Sequence, residues 1–183
     1  MKINVALVFF LSVIPDVDIF LEHLTFIAHR GPLHSVVLAF IVFVPLFIIY
    51  RRKAIPYFVA LISHPLIGDF FTGGQLQLLW PLSRQYFGIA SISIQDPVSV
   101  ALELVVFFVA IIVMVRTRDL LVLLQPHKSN LLLLVPLFAL LGPIFVGFPL
   151  RVPLLLIAPH LFYIVVFLVS IVSGFLGIGK REH

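Results

Sequence analysis

Residues 152–176 read VPLLLIAPHLFYIVVFLVSIVSGFL, a run of 25 residues without a charged side chain. A helix needs roughly 20 predominantly apolar residues to cross about 30 Å of hydrocarbon, so this run is long enough to span a membrane. The rest of the chain is similar: 62% of its 183 residues are hydrophobic, 11% are charged, and the mean hydropathy is +1.22. A water-soluble core could not bury this much apolar surface. The sequence therefore predicts an integral membrane protein.

Other apolar runs precede this one. They lie at about residues 32–50, 54–71, 98–115 and 131–150. The N-terminal run up to Ile14 resembles a signal peptide in length, but it lacks a small-residue cleavage pattern, so we expect it to be retained. Its roughly twelve apolar residues reach only about 18 Å, which predicts a short first span.

These runs predict the fold class. Open sheet edges cannot satisfy their backbone groups in lipid, so we expect an all-α fold. The expected architecture is a polytopic transmembrane helical bundle with about five or six spans. We expect one membrane domain over residues 1–183, with its motif-bearing part at 12–97 and a C-terminal helical pair at 131–178.

The basic residues predict an orientation in the inner or plasma membrane. If the spans alternate, nine of the twelve basic residues fall on one face: Lys2, Arg51, Arg52, Lys53, Arg116, Arg118, Lys128, Lys180 and Arg181. The positive-inside rule makes this face cytoplasmic, together with both termini, and points the long loop at 72–97 outward. It also accounts for the net charge of +4 without nucleic acid. The expected partner is the lipid bilayer, and the sequence does not indicate an oligomeric state.

Acidic and His residues gather on the predicted outer face. They are Asp16, Asp18, Glu22, Asp69 and Asp96 together with His23, His29, His34 and His64. A central charge in a span costs about 2.5–3.5 kcal/mol on translocon scales, so an uncompensated cluster would be strongly disfavoured. Because the chain has no Cys, His and carboxylates are its only strong metal ligands. The pattern therefore predicts a bound divalent cation.

Two short motifs place several of these side chains where helices break. In PDVD at 15–18, Pro15 ends the first apolar run, so that Asp16 and Asp18 emerge together. The alternative is a solvated turn, in which Asp after Pro is common. In HRGPLHS at 29–35, His29 and His34 flank a Gly-Pro break and can face one point.

Arg30 lies between these two His residues. Its guanidinium suits a bidentate contact with a phosphate oxygen. The alternative is an interfacial Arg that extends to the lipid headgroups beside two incidental His residues. Ser35, at the end of the same motif, is predicted to cap the helix that follows it.

The third motif is HPLIGD at 64–69. His64 and Asp69 are five residues apart, which is not the spacing of one face of a regular helix. Pro65 and Gly68 could distort the turn enough to bring the two together. Asp69 is then either a ligand or the group that orients His64. The alternative is a hydrogen bond that serves helix packing.

Read in order, PDVD, HRGPLHS, SHPLIGDFFTGG, LLWPLS and FG resemble the YdjM-like family of predicted membrane-bound metal-dependent hydrolases, over about residues 12–88. That family is similar to zinc-dependent phospholipase C, and the resemblance implies a helical, phosphoester-cleaving site. The resemblance implies metal ligation by Asp16, Asp18, His29, His34, His64 and Asp69, with Arg30 beside them. Two features depart from the family pattern: the first helix lacks a Thr-His pair, and many relatives have His64 and Asp69 four residues apart.

These observations predict a membrane-embedded hydrolase that uses a metal-activated water on a lipid-like phosphoester at the extracytoplasmic face. Zinc is expected from the number of His residues, with manganese as the alternative. Arg30 would stabilise a phosphoryl oxygen, and one of Asp16, Asp18 and Asp69 would act as general base. Two other classes stay open, a cation or proton transporter and a non-catalytic protein with a structural metal.

Overall fold

The computed structural model describes residues 3–19, 29–71, 75–89, 95–147 and 151–179. Within these ranges the backbone is helical or irregular, and the pairing of extended residues is limited to one bridge between Leu76 and Phe87. This confirms the predicted all-α class. Glu22, His23, Thr72 and the Gly73-Gly74 pair lie outside the described residues.

Short 3₁₀ and π-helical turns lie between several of the α-helices. The α-helices are α1 (Val5–Val13), α2 (Val36–Tyr50), α3 (Ile55–Ser63), α4 (Pro97–Arg116), α5 (Asp119–Leu124), α6 (Leu134–Leu141) and α7 (Ile157–Gly179). The 3₁₀ turns are Ile14–Val17, Pro32–His34, Arg51–Ala54, Lys128–Leu133 and Leu154–Leu156. The π-helical turns are His64–Asp69 and Gly142–Val146.

Among the described residues, three helical segments are long and apolar enough to cross a membrane. They are Pro97–Arg116, Lys128–Phe145 and Leu154–Gly177. Val5–Val17 is apolar but shorter, as expected of the first run. The predicted spans at 32–50 and 54–71 do not reach this length, because α2 has 15 residues and covers only about 22 Å. The predicted total of five or six spans is therefore not confirmed.

The contacts divide the chain into two compact units. One comprises Met1–Ile3 and Leu11–Asp96, and the other Asn4–Phe10 and Pro97–His183. We call them the hairpin unit and the span unit. Whether they fold as the single predicted membrane domain is untested and stays a prediction.

The hairpin unit is built on α2 and α3, which the turn Arg51–Ala54 joins. Their rings pack along the interface, and Phe43 stacks on Phe58 with 4.2 Å between ring centroids. No residue of α2 is buried, and most of its apolar side chains are exposed. An apolar surface this continuous is typical of contact with lipid or another protein. The three basic residues at 51–53 lie at one end of the hairpin, and its other end holds the candidate site.

The span unit has its own apolar core. That core consists of Val5, Ala6, Met114, Leu123, Leu133, Leu137, Ile164, Val166, Phe167 and Ile171. One buried amide holds its polar backbone groups together: Nδ2 of Asn130 donates to the carbonyls of Leu123, Gln125 and Ser170, at 3.1, 2.9 and 3.0 Å. Two of these contacts are fully buried, so water cannot replace the amide there.

We predict that Asn130→Ala lowers the free energy of unfolding by about 1–3 kcal/mol, the usual cost of leaving a buried polar group without its partner. The measurement is a denaturation midpoint in detergent by circular dichroism. Gln85→Ala removes an exposed amide of the loop and serves as the control. Equal midpoints for the two variants would contradict the role given to Asn130.

Candidate metal centre

Two 3₁₀ turns aim the first donors of the site. Pro15 opens the turn Ile14–Val17, which places Asp16 and Asp18 after α1. Pro32 opens the turn Pro32–His34, and Ser35 then caps α2 by accepting from the N–H of Leu38, as predicted. In both turns a Pro residue at the first or second helical position needs no hydrogen-bond acceptor and favours the turn at low cost.

The π-helical turn His64–Asp69 aims the remaining donors. The N–H of Phe70 donates to the carbonyl of Pro65, five residues earlier, at 3.2 Å. Such a turn accommodates one residue more than an α-helical turn, so side chains five apart share a face. Nε2 of His64 lies 3.4 Å from Oδ2 of Asp69. The predicted distortion at Pro65 and Gly68 is therefore observed, and it absorbs the extra residue of this motif.

Four side chains converge on one point. The group consists of Asp16, His34, His64 and Asp69, and their nearest ligand atoms lie within 4.8 Å of one another. Oδ1 of Asp16 is 3.0 Å from Nε2 of His64 and 3.6 Å from Nε2 of His34. Oδ2 of Asp69 is 3.1 Å from Nε2 of His34 and 3.4 Å from Nε2 of His64. We call this group the donor cluster.

The donor cluster fits a divalent ion. In a tetrahedral site with bonds of about 2.0–2.1 Å, neighbouring ligand atoms are about 3.4 Å apart, close to the observed spacings. Nε2 of His34 and Oδ2 of Asp69 are both buried and have no hydrogen-bond partner among the described residues, although they are only 3.1 Å apart. Buried polar atoms without a hydrogen-bond partner are candidates for ion ligation.

Asp18 and His29 form a second layer behind His34. Oδ2 of Asp18 lies 3.0 Å from Nδ1 of His34, the ring nitrogen that does not face the donor cluster. Nδ1 of His29 donates to Oδ1 of Asp18 at 2.7 Å, and the N–H of Arg30 donates to Oδ2 at 3.0 Å. Asp18 is completely buried. A carboxylate behind a ligating His fixes the orientation of its ring, and this is the arrangement that Asp18 has here.

Asp18, His29 and His34 could also hold an ion of their own. A neutral imidazole offers one lone pair. If His34 uses Nε2 toward the donor cluster, its Nδ1 carries the proton and faces Asp18 as a donor. The two groups therefore compete for His34, and the fully buried Asp18 is better suited to orient it than to bind a second ion.

Arg30 connects both layers. Its Nη2 donates to Oδ1 of Asp69 at 3.0 Å, while its main chain donates to Asp18 and accepts from the N–H of Gln77 at 3.0 Å. Arg30 has a φ of +61°, a left-handed conformation that costs a non-glycine residue about 1–3 kcal/mol. The three hydrogen bonds offset this strain. They also direct the guanidinium toward Asp69 rather than toward solvent.

The carboxylates of the site carry more negative charge than Arg30 can neutralise. Three carboxylates against one guanidinium leave two negative charges in excess. Burial favours the neutral form of each carboxyl group, but contacts with cationic side chains outweigh this effect. His34 and His64 lower the pKa of Asp16 to about 2. The same two His residues and Arg30 lower the pKa of Asp69. The neighbouring carboxylates likewise overcome burial and raise the pKa of His34 to about 11 and that of His64 to about 9. A divalent cation would supply the same two positive charges.

The loop at 75–89 is attached to the site, a role that the sequence did not indicate. The hydroxyl of Ser35 donates toward the carbonyls of Leu78 and Trp80, and the N–H of Val36 donates to Leu78. At the other end, the N–H of Ile89 donates to the carbonyl of Phe70. The backbone thus fixes this loop beside both His34 and the π-helical turn.

All seven predicted site residues meet in this region, and their roles as ligands stay predictions. The structure separates them by distance into the donor cluster and the orienting pair Asp18 and His29. Two other residues of the predicted outer-face group, Glu22 and His23, lie outside the described residues.

We predict a graded loss of metal affinity that follows these two layers. His64→Ala should abolish stoichiometric zinc binding, because it removes a donor, whereas Asp18→Asn should weaken binding by about 10–100-fold, as expected of an orienting residue. Isothermal titration of the purified protein measures both. His127→Ala, an exposed His of the span unit, is the matched control. If Asp18→Asn abolishes binding as completely as His64→Ala, Asp18 is a ligand.

We also predict that deletion of Ile67, whose side chain is 62% exposed, leaves metal affinity within about tenfold of the original protein. The deletion converts the π-helical turn into an α-helical turn and keeps His64 and Asp69 on one face. Insertion of Ala after Ile67 should instead rotate Asp69 away and abolish binding. The same titration checks both. Loss of binding in the deletion alone would show that the π-helical turn has another role.

Comparison with known proteins gives one match. The model of the YdjM inner membrane protein family matches residues 2–173. No curated protein and no solved structure matches the chain. The family model covers nearly the whole chain, including the hairpin unit with its donors and the three long apolar segments. The chain therefore belongs to the YdjM inner membrane protein family.

Proposed function

We propose that this protein is a membrane-embedded, divalent-metal-dependent hydrolase that cleaves a lipid-like phosphoester at the extracytoplasmic face. The observation that carries the proposal is the donor cluster, in which one ligand atom from each of four side chains lies within 4.8 Å of the others. Two imidazoles and two carboxylates are a donor set that suits zinc, and manganese is the alternative. A bound ion of this kind would lower the pKa of a coordinated water and so supply the nucleophile.

The accessibility of the donors favours a catalytic site over a structural one. Structural zinc sites are closed, whereas catalytic sites keep one position open to water and substrate. Here the side chain of Asp16 is 29% exposed and that of His64 is 20% exposed, while His34 is completely buried. Asp16 is then free to act as a base, and the other three donors leave the fourth position of the ion open to water on the exposed side of the site.

The protein's own groups have distinct roles in the proposed reaction. Asp16 is the most exposed of the three carboxylates, so it is best placed to take a proton from the attacking water and pass it to solvent. Arg30 donates a hydrogen bond to Oδ1 of Asp69, and Oδ2 of the same carboxylate remains available to the donor cluster. Its positive charge also lies beside the point where a phosphoryl oxygen would gain negative charge.

The basic residues beside the three long apolar segments support the proposed orientation. Arg116, Arg118 and Lys128 lie between the first and second of them, and Lys180 and Arg181 follow the third. Arg151 lies at the opposite end of the second and third spans. By the positive-inside rule the C-terminus is cytoplasmic, and the chain that precedes Pro97 reaches the first span from the extracytoplasmic side. We propose that the N-terminus is cytoplasmic as well.

A transporter would need polar groups along a path through the spans. Within the described spans the titratable side chains away from the ends are Glu103, His160 and Tyr163. The candidate ligands, by contrast, are all in the hairpin unit. This distribution favours chemistry at one face over passage through the bilayer.

The test combines metal analysis with hydrolysis. We expect the purified protein to contain about one zinc or manganese ion per chain, to release phosphate or a phosphorylated headgroup from vesicles of mixed phospholipids, and to lose this activity in a chelator. His64→Ala should be inactive and His127→Ala active. Absence of stoichiometric metal in the unmodified protein would refute the proposal. Stoichiometric metal without hydrolysis, but with cation flux in liposomes, would identify a transporter instead.

A further inference from the structure

A narrow apolar groove runs from the donor cluster along the hairpin. It has a volume of about 200 Å³, and residues of the first 3₁₀ turns, of α2 and of α3 line it. Three of the lining residues are Pro15, Leu33 and Pro65. Each of them is next in sequence to a residue of the donor cluster. The groove therefore lies beside the donor cluster.

The outer end of the groove lies on the exposed face of the hairpin. Leu38 and Val42 are four residues apart on α2, so they share a face, and Leu61 contributes from α3. Val42 is 51% exposed, and it continues into the unburied apolar surface of α2. The groove thus connects the apolar surface of α2 with residues that are next in sequence to the donors.

The lining determines what can occupy this groove. All but one of its residues are apolar, and the hydroxyl of the exception, Ser35, is already bonded to the carbonyls of Leu78 and Trp80. A polar ligand would lose its hydration there without gaining hydrogen bonds. A partner helix is about 10 Å across and too wide for a groove of this volume. A flexible hydrocarbon chain satisfies both limits.

We propose that the groove holds the ester-proximal part of a hydrocarbon chain of a membrane lipid whose phosphoester reaches the donor cluster. This inference rests on the proposed function and specifies its substrate class. The chain enters from the surface of α2, and the charged headgroup meets Arg30 and the donors. Among phosphoesters taken from water, each methylene that the groove buries strengthens binding by about fourfold, so longer-chain esters are preferred over short-chain ones.

The first experiment compares two variants of the same helix. Val42→Trp fills the mouth of the groove, whereas Val44→Trp adds the same side chain at an exposed position outside it. The readout is the ratio of kcat/KM for phosphatidylglycerol in vesicles to kcat/KM for soluble bis(p-nitrophenyl) phosphate. We expect Val42→Trp to lower this ratio at least tenfold through KM, and Val44→Trp to leave it unchanged. A milder variant, Ala39→Leu, should lower the ratio in the same direction.

The second experiment does not depend on activity. A phospholipid with a photoreactive diazirine near its ester is incorporated in nanodiscs with the full-length protein, and the labelled residues are mapped by mass spectrometry. We expect labels concentrated on Leu38 and Leu61, reduced by Val42→Trp but not by Val44→Trp. Uniform labelling along α2 would overturn the inference.

The outcomes separate the two proposals. Metal-dependent hydrolysis with equal substrate ratios for Val42→Trp and Val44→Trp overturns the groove and leaves the hydrolase standing. Groove-specific labelling without hydrolysis of any ester supports the lipid chain and overturns the hydrolase.

Discussion

The close approach of Asp16, Asp18 and Asp69 is the constraint on which the hairpin unit depends. Three carboxylates this near to one another, two of them buried, repel strongly unless positive charge lies between them. The chain brings that charge from separate elements: Arg30 from the segment before the second 3₁₀ turn, and the imidazoles from both sides of the hairpin. Removing one partner would leave an uncompensated buried charge, which costs several kcal/mol. The electrostatics of this cluster thus help to hold the end of the hairpin against the turn Ile14–Val17.

Regular helices could not build this site. Side chains on an α-helix meet at spacings of three and four, and the motifs here need a spacing of two between Asp16 and Asp18 and of five between His64 and Asp69. The 3₁₀ turn, the left-handed Arg30 and the π-helical turn are the local departures that supply them. Each is strained or weakly bonded by itself, and the hydrogen bonds of the assembled site compensate for it. Irregular backbone concentrated in one region is expected where the positions of functional side chains matter more than the stability of the local backbone.

The candidate metal site and the long apolar segments belong to different units of the chain. The candidate donors all belong to the hairpin unit, and the three segments long enough to cross a membrane all belong to the span unit. The span unit is stabilised as a membrane helix cluster should be, by apolar packing and by one buried amide, that of Asn130. The hairpin unit instead exposes the apolar surface of α2 and opens a groove beside its polar site. A polar site bordered by an apolar groove matches a substrate that is itself amphipathic.

The sequence alone determined the membrane class, the helical fold and the identity of the polar side chains that meet. These follow from local properties: the length of apolar runs, the backbone needs of lipid, and the Pro and Gly residues that break helices next to Asp and His. The tertiary structure decided the rest. It shortened α2 below the length of a span, because the 3₁₀ turn and the Ser35 cap take up residues that composition assigns to the apolar run. It also distinguished Asp16 from Asp18, which look alike in PDVD, by placing one before Nε2 and the other before Nδ1 of the same imidazole, His34. Such roles depend on contacts between residues that are far apart in sequence. Asp18 and His34 are 16 residues apart, and Asp16 and His64 are 48 residues apart. A local sequence pattern does not specify contacts over such separations.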